Sequence, residues 1–449
     1  MNRNRIRSRA RLVTAYICLL MLGVILAGCG AEGGEGRSAA GENEKTHLTP
    51  GRIYSTVDRA PAEEASAEEV EALVADSQAF ALDLLTRLSA DGRNLVFSPW
   101  GLLTALGMTH DGARGSTQQE IATALHLSLP SERLPMAVNA RDLALAESAS
   151  PELHSATAFW AQDGTPFHED YLDLLARYYG SGVTVADFNG DREGASRMVA
   201  EWLAREIGRE FSAEWAPPVS DAYPLLCVLT SAVRLDALWA HQFDPAMTQP
   251  RPFTLDDGTE ITVDTMSINT DFRVAEGEDY QAVELPYAGN TLAFLAILPK
   301  GPATATPPTG GSLTAFEENL TPGKLRTIID NMAGGDLTVV TLPRFNFQRN
   351  LDLEPSLTAM GMTTAFSDGD FSGMTPTTGW FIDGVAQQAY IEVTEQGTKA
   401  GAATEVTIAA GIGGSLELNR PFLFLIRHVP SGALLFVGEV RDPRSAGQQ

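Results

Sequence analysis

The chain has 449 residues, 44% of them hydrophobic and 20% charged, enough apolar mass for a sizeable buried core, which excludes a disordered or fibrous protein. Its 57 acidic residues against 32 Lys plus Arg give a net charge of -25, which repels phosphate backbones and excludes nucleic acid as a partner. Three cysteines (Cys18, Cys29, Cys227) and seven scattered histidines offer neither a disulfide framework nor a zinc-ligand spacing, so no metal and no cofactor is expected.

Arg3, Arg5, Arg7, Arg9 and Arg11 precede an apolar run over residues 12–26, shorter than the ~20 residues a membrane span needs and suited to the core of an export signal. Leu26-Ala27-Gly28-Cys29 follows directly and resembles the bacterial lipobox, in which cleavage before the cysteine leaves its thiol to carry a lipid. Residues 1–28 are accordingly expected to be a lipoprotein signal peptide and Cys29 the lipidated N-terminus. A plain secretory peptide with a chance cysteine is the weaker reading, since the motif stands where cleavage is due. Loss of residues 1–28 removes five arginines and no acid, taking the net charge to -30. The string from Gly28 to Gly33 spells a dinucleotide-binding pattern, but it follows a signal core and opens no helix. Gly30 after Cys29 is compatible with sorting to an outer membrane, so the protein is expected to be lipid-anchored to the cell envelope or extracellular. Residues 29–65 are rich in Gly, Glu, Ala, Ser and Pro. They hold too few apolar groups to offset ordering entropy and are expected to be a flexible tether reaching on the order of 30 Å.

Ser66-Ala67-Glu68-Glu69 is a capping box, and Val70, Leu73, Val74, Phe80, Ala81, Leu84, Leu85 and Leu88 follow at helical spacing, predicting a long amphipathic helix. Residues 94–99 predict a short buried strand ended by Pro99, with helical spacing resuming over residues 102–108. Residues 283–298 and 422–437 each predict a hairpin of apolar strands, around Ala288-Gly289-Asn290 and Pro430-Ser431-Gly432. Residues 299–312, rich in Pro, Thr, Gly and Ala, are expected to be a surface loop. With helices early, strands later and no other break, residues 66–443 are expected to form one α+β domain, followed by a tail over 444–449. Cys227, within an apolar run, is expected to be a buried core thiol.

Residues 395–408 alternate: Thr398, Ala400, Ala402, Thr404, Val406 and Ile408 are small or β-branched, while Lys399 and Glu405 fall on the other phase. In a strand, that turns one uncharged face inward and both charges outward. Residues 409–415 carry almost no side-chain mass and three glycines, which predicts an exposed loop. Taken alone the segment also fits an ordinary edge strand with a Gly-rich turn.

The surrounding sequence resembles the serpin family of serine protease inhibitors. Asn94-Leu95-Val96-Phe97-Ser98-Pro99 with Gly112-Ala113-Arg114-Gly115-Ser116-Thr117 is similar to the family's early strand and helix. Phe253 with Asp257-Gly258 leading to Met266, Leu285-Pro286-Tyr287 with Leu298-Pro299, and Leu342-Pro343-Arg344-Phe345 continue in family order. Met360-Gly361-Met362 with Asp370-Phe371-Ser372, Arg420-Pro421-Phe422-Leu423-Phe424 and Leu435-Phe436-Val437-Gly438 close the series. The resemblance implies the serpin fold: a large central β-sheet, two smaller sheets, about nine helices and an exposed reactive-centre loop. Glu395, Gly397 and Thr398 map onto the family's hinge, and Ala400 to Ala403, including Ala402, onto its run of small residues.

The implied mechanism is a race. A protease attacks the loop and forms an acyl-enzyme; the freed hinge inserts into the main sheet and carries the protease away before water can deacylate it. Small residues at 398, 400 and 402 suit an active inhibitor, because bulky or charged ones would cost about 1–3 kcal/mol or more on insertion. Lys399 stands where the family has an acid. Counting from Glu395 by the family's loop length puts the reactive bond at Gly411-Ile412; counting back from Pro421 puts it at Ala410-Gly411. Ala fills a small specificity pocket and Gly leaves it empty, which favours Ala410-Gly411. The absence of Lys, Arg and aromatics between Ala400 and Asn419 points to elastase-like or subtilisin-like serine proteases, with cysteine proteases a minor class. In the sheet-opening region Ser98, Pro99 and Trp239 match the family. Gly101, Ser231 and Gln387-Gln388 replace its Ser, Asn and His-Lys, so an altered hydrogen-bond network is expected. The protein is expected to be a monomer and not an enzyme, since no nucleophile elbow, phosphate loop or carboxylate pair with a base is present. The alternative is a non-inhibitory serpin acting as a surface binding or carrier lipoprotein.

Overall fold

In the computed structural model the described residues are 46–49, 51–148, 153–207, 227–301, 311–334, 337–398 and 414–444. Helix α1, Ala67–Leu88, starts at the predicted capping box. The Ser66 hydroxyl accepts the Glu69 backbone N–H at 3.3 Å and the Glu69 carboxylate accepts that of Ser66 at 2.8 Å, so two N–H groups without helical partners are satisfied reciprocally. Helix α2, Pro99–Gly112, has Pro at its first position, where no N–H is needed, and Ser98 as its N-cap. Every residue of α2 is buried. Nine α-helices are found among the described residues. Two more of them matter below, α3, Leu134–Ser148, and α4, Arg192–Ile207.

The strands fall into three sheets. The largest has nine strands: β1 Thr46–Thr49, β2 Arg52–Ser55, β3 Leu153–Gln162, β4 Val183–Ala186, β5 Cys227–Leu235, β6 Ala237–Leu238, β7 Phe345–Asp352, β8 Gly384–Thr394 and β9 Gly397–Thr398. Their order is β1-β2-β4-β3-β5-β8-β9-β6, and β7 pairs with β8. On one face lies α2 and on the other α4, whose Trp202 meets Trp160 of β3 edge-on at 5.9 Å. A six-stranded sheet contains both predicted hairpins, Tyr280–Pro286 with Leu292–Pro299 and Phe422–His428 with Leu434–Val440. Their turns use left-handed backbone at Gly289, Asn290 and Gly432. A four-stranded sheet receives the chain at its edge strand Ser415–Glu417, which pairs in parallel with Leu337–Pro343. An α+β fold with one large and two smaller sheets is therefore present as expected. The expected loop over 299–312 lies partly outside the described residues, as do the signal peptide, Cys29 and all but one residue of the C-terminal tail.

One boundary is corrected. Residues 46–49 and 52–64 are structured and do not belong to a tether: β1 pairs antiparallel with β2, and β2 pairs antiparallel with Val183 and Thr184 of β4. Gly182 makes room for it, because a Cβ there would lie 2.5 Å from the Ile53 carbonyl oxygen. Ser55 donates to Asp173 at 2.5 Å, and the wholly buried Asn139 of α3 donates to the Ala60 carbonyl at 2.9 Å while accepting from Arg59 at 2.8 Å. The segment is held by backbone pairing and buried polar bonds rather than by apolar mass, which is why its composition reads as a tether.

Candidate functional site

The large sheet forks between β5 and β8. Over residues 228–233 and 384–389 the two strands pair directly and in parallel. Beyond that, the chain leaving β8 turns at Glu395-Gln396 and comes back as β9, whose two residues sit between β8 and β6. Gly397 pairs with Thr394 and Leu238, and Thr398 with Val393 and Ala237. β9 thus enters the sheet from one end, in line with the β5·β8 ladder.

Each hinge residue within the described set has a role in seating this stub. Gly397 is required by close approach: its φ is 154°, and a Cβ would fall 2.0 Å from the Ala237 carbonyl oxygen. Thr398 is buried, with its hydroxyl 2.7 Å from the Tyr287 phenol oxygen. Burial pushes the Tyr287 phenol well up, so it stays a neutral hydrogen-bonding group. Tyr287 in turn stacks on Trp239 at 4.6 Å, and the Trp239 indole N–H donates to the Thr394 carbonyl at 2.9 Å. The turn is pinned by the Trp239 and Phe243 backbone N–H groups, which donate to the Gln396 and Glu395 carbonyls. Glu395, buried itself, accepts from the Thr248 hydroxyl at 2.7 Å and faces Arg344 at 3.7 Å.

Below the fork lies a second cluster. The Gln387 carboxamide is wholly buried. It accepts the Ser98 backbone N–H at 2.6 Å and donates to the Ser98 carbonyl at 3.0 Å and to the Ser231 hydroxyl at 3.2 Å. Pro99 and Ser98 thus fix the start of α2 directly beneath the β5·β8 ladder. Gly101 completes the set, since a Cβ there would lie 2.3 Å from the Ser231 hydroxyl oxygen. The three departures at 101, 231 and 387 therefore compensate one another: the space vacated at 101 admits Ser231, and Ser231 and Ser98 saturate Gln387. Gln388 on the opposite face donates to Asn350 of β7 at 2.8 Å. Gln387→Ala leaves the buried Ser98 backbone N–H without a partner, whereas the Ser98 carbonyl keeps the Leu102 N–H. It is expected to destabilise the intact protein by about 1–3 kcal/mol, measured by urea unfolding.

Of the predicted site residues, Glu395, Gly397, Thr398 and Trp239 gather at the fork, and Ser98, Pro99 and Gln387 meet beneath it. Ala400, Ala402, Ala403, Ala410 and Gly411 lie outside the described residues. Tyr287, Thr248 and Arg344 are the contributors sequence reasoning missed. Their separations from the hinge exceed a hundred residues for Tyr287 and Thr248, and only the placement of Tyr287 and Arg344 in family motifs hinted at them. Cys227 is buried as expected, and burial pushes its thiol well up, which leaves it unreactive.

Residues 75–443 match the family model described as serpin (serine protease inhibitor). An uncharacterized serpin-like protein of Thermococcus kodakarensis is 31% identical over 438 residues, covering 95% of this chain and 99% of that protein. Another from Methanosarcina acetivorans is 28% identical, covering 84% and 88%. Among solved structures, the thermophilic serpin tengpin in its native state superposes with a TM-score of 0.74 at 26% identity, covering 86% of this chain and 97% of tengpin. Thyroxine-binding globulin in complex with thyroxine gives 0.71 at 23%, covering 82% and 99%, a likeness of fold alone.

Proposed function

Because this chain belongs to the serpin family, we infer that it inhibits serine-type endopeptidases by trapping them as acyl-enzymes while its reactive-centre loop inserts into the large sheet. The observation that carries this reading is the fork: a two-residue strand already seated at one end, in line with a slot that the β5·β8 ladder still closes. Attack on the loop at Ala410-Gly411 releases its C-terminal attachment, and the hinge strand then propagates from β9 as β5 and β8 part. Every even position from 398 to 408 is small or β-branched, so nothing bulky or charged has to be forced into the inner face. The empty charge register around the bond favours elastase-like or subtilisin-like targets, with cysteine proteases secondary.

Incubation of the full chain with elastase or subtilisin is expected to give a denaturant-resistant adduct and a released C-terminal peptide whose mass fixes the reactive bond. Complete cleavage without an adduct of any protease tested would assign the protein to the carrier alternative. For the N-terminus we propose a lipid anchor at Cys29 that holds the domain at a bacterial cell envelope. In a bacterial host, Cys29→Ser is expected to move the protein from the membrane pellet to the soluble fraction and abolish palmitate labelling.

A further inference from the structure

We propose that Ser131 is an activated nucleophile, with His110 as its general base, that takes the acyl group of small neutral carboxylic esters at a site apart from the fork. Ser131 is exposed in the turn before α3, and its hydroxyl oxygen lies 3.4 Å from Nε2 of His110. His110 and Asp111 belong to the last turn of α2. The imidazole is buried, and its Nδ1 lies 3.0 Å from Oδ1 of the buried Asp111. The other Asp111 oxygen, Oδ2, accepts the Tyr179 hydroxyl at 2.7 Å. Nucleophile, base and orienting carboxylate thus follow one another from solvent into the core. Ser131 and His110 are 21 residues apart, so no short sequence pattern joins them.

The hydrogen bonds assign the protons. One Asp111 oxygen takes the phenol O–H and the other faces the imidazole, so Nδ1 carries the ring proton and Nε2 is left to accept the Ser131 O–H. Burial pushes the Asp111 carboxyl up, while the His110 and Tyr179 hydrogen bonds and the Arg114 charge oppose that cost. The 3.4 Å separation of Ser131 from His110 is the looser contact such pairs show before a substrate arrives. The turn is closed by the Arg133 N–H on the Pro130 carbonyl at 2.8 Å, and the N–H groups of Ser131 and Glu132 have no protein acceptor among the described residues. Two donors beside the hydroxyl are thereby left for a developing oxyanion. Glu132 is exposed next to Ser131, and Arg133 is held by Glu69 at 2.5 Å, so an anionic ester is repelled and a neutral one is not. In the reaction the Ser131 oxygen bonds to the ester carbonyl carbon as its proton passes to Nε2. The C–O bond to the leaving alkoxide then breaks and Nε2 returns the proton to it, giving acyl-serine and an alcohol. Water in place of the alcohol runs the same steps backwards and releases the carboxylic acid.

The test treats the full chain with a fluorophosphonate probe, from which the Ser131 oxygen displaces fluoride at phosphorus while its proton leaves through His110, and locates the adduct by peptide mass. The folded parent is compared with the parent unfolded in urea and with Ser131→Ala, His110→Gln and Asp111→Asn, and hydrolysis of p-nitrophenyl acetate is followed in the same set. Label is expected on Ser131 of the folded parent, slowed roughly a hundredfold or more in His110→Gln and in urea. Ester turnover is expected to be lost in Ser131→Ala with the melting temperature unchanged, since that side chain is exposed. Asp111 is a positioning residue, and Asp111→Asn should lower kcat for the ester with KM unchanged; an unchanged kcat overturns its part. A folded parent without label on Ser131 overturns the proposal, as does label that forms equally fast in urea or in folded His110→Gln, or ester turnover that survives in Ser131→Ala. If His110→Gln does not fold, the urea comparison and Ser131→Ala decide. Neither readout involves the trapping of a protease, so the inhibitory reading stands or falls separately.

Discussion

A single cut between residues 409 and 412 is expected to raise the melting temperature of the protein by at least about 10 °C. Cleavage of an exposed loop ordinarily leaves stability unchanged or lowers it, so the sign alone is diagnostic. The gain comes from continuing β9 through the slot. Its register carries on in phase, so that Ala400 faces Ile391 and Leu235, Ala402 faces Ala389 and Val233, and Val406 faces Val385 and Leu229. All six receiving side chains are buried. One parallel ladder over 228–233 and 384–389 is exchanged for two antiparallel ones, which are both longer and slightly more stable per residue. Thr404 falls opposite Gln387 and Ser231, so the polar cluster beneath the sheet gains a hydroxyl partner instead of being covered by an apolar group it would have to shed. Each kcal/mol shifts the melting point by about 2–4 °C in domains of 150–250 residues and by less in one this large, so a gain of this size requires many new contacts rather than one. Calorimetry before and after limited proteolysis decides it: an unchanged or lowered melting point would mean that no strand has entered.

Local signals in the sequence carried much of this fold. The Ser66-Glu69 capping box and the glycine-containing hairpin turns each depend on residues within a few positions of one another, and each is found where expected, whereas helix Pro99–Gly112 starts three residues before the helical spacing expected from residue 102. What escaped reading is non-local. Strand Arg52–Ser55 is four residues long in a polar setting, and its partner Val183–Ala186 lies more than a hundred residues away. Nothing in the composition of residues 46–64 reports that Gly182 leaves room for them. Gly397 is legible as a hinge glycine by resemblance, but the reason for it, the Ala237 carbonyl in the space a side chain would need, is a contact across the sheet. The positions 101, 231 and 387 show the opposite error. Read one at a time they are three losses from a family pattern; in space they are one substitution made in three places, because the volume of a hydroxyl at 231 is available only when 101 has no Cβ.

The second large effect belongs to Thr398. On the proposed inhibitory mechanism, replacing it with Arg is expected to turn an inhibitor into a substrate: the protease cuts the same bond, no adduct survives, and the thermal gain on nicking disappears. Thr398 is 2% exposed and lies between Val393 and Ala237 with its hydroxyl on Tyr287. Tyr287 stacks on Trp239 and both rings are buried, so neither can swing aside without opening the core. A guanidinium at this position would have to give up its water beside a neutral phenol and two apolar side chains, at a cost of several kcal/mol. The substitution therefore unseats β9 in the intact protein, and at about 1.4 kcal/mol per tenfold in rate it slows the return of residue 398 to the sheet on the order of a hundredfold or more, while deacylation proceeds at its own pace. Because residue 398 is the first inward position after the turn, the obstruction acts before any of the later contacts can form, and no compensation from residues 400–408 can offset it. Thr398→Ser, which keeps the hydroxyl and the volume class, should trap protease like the parent. If Thr398→Arg trapped protease as efficiently as Thr398→Ser, residue 398 would not need to occupy the sheet for inhibition, and β9 could not be the start of the inserting strand.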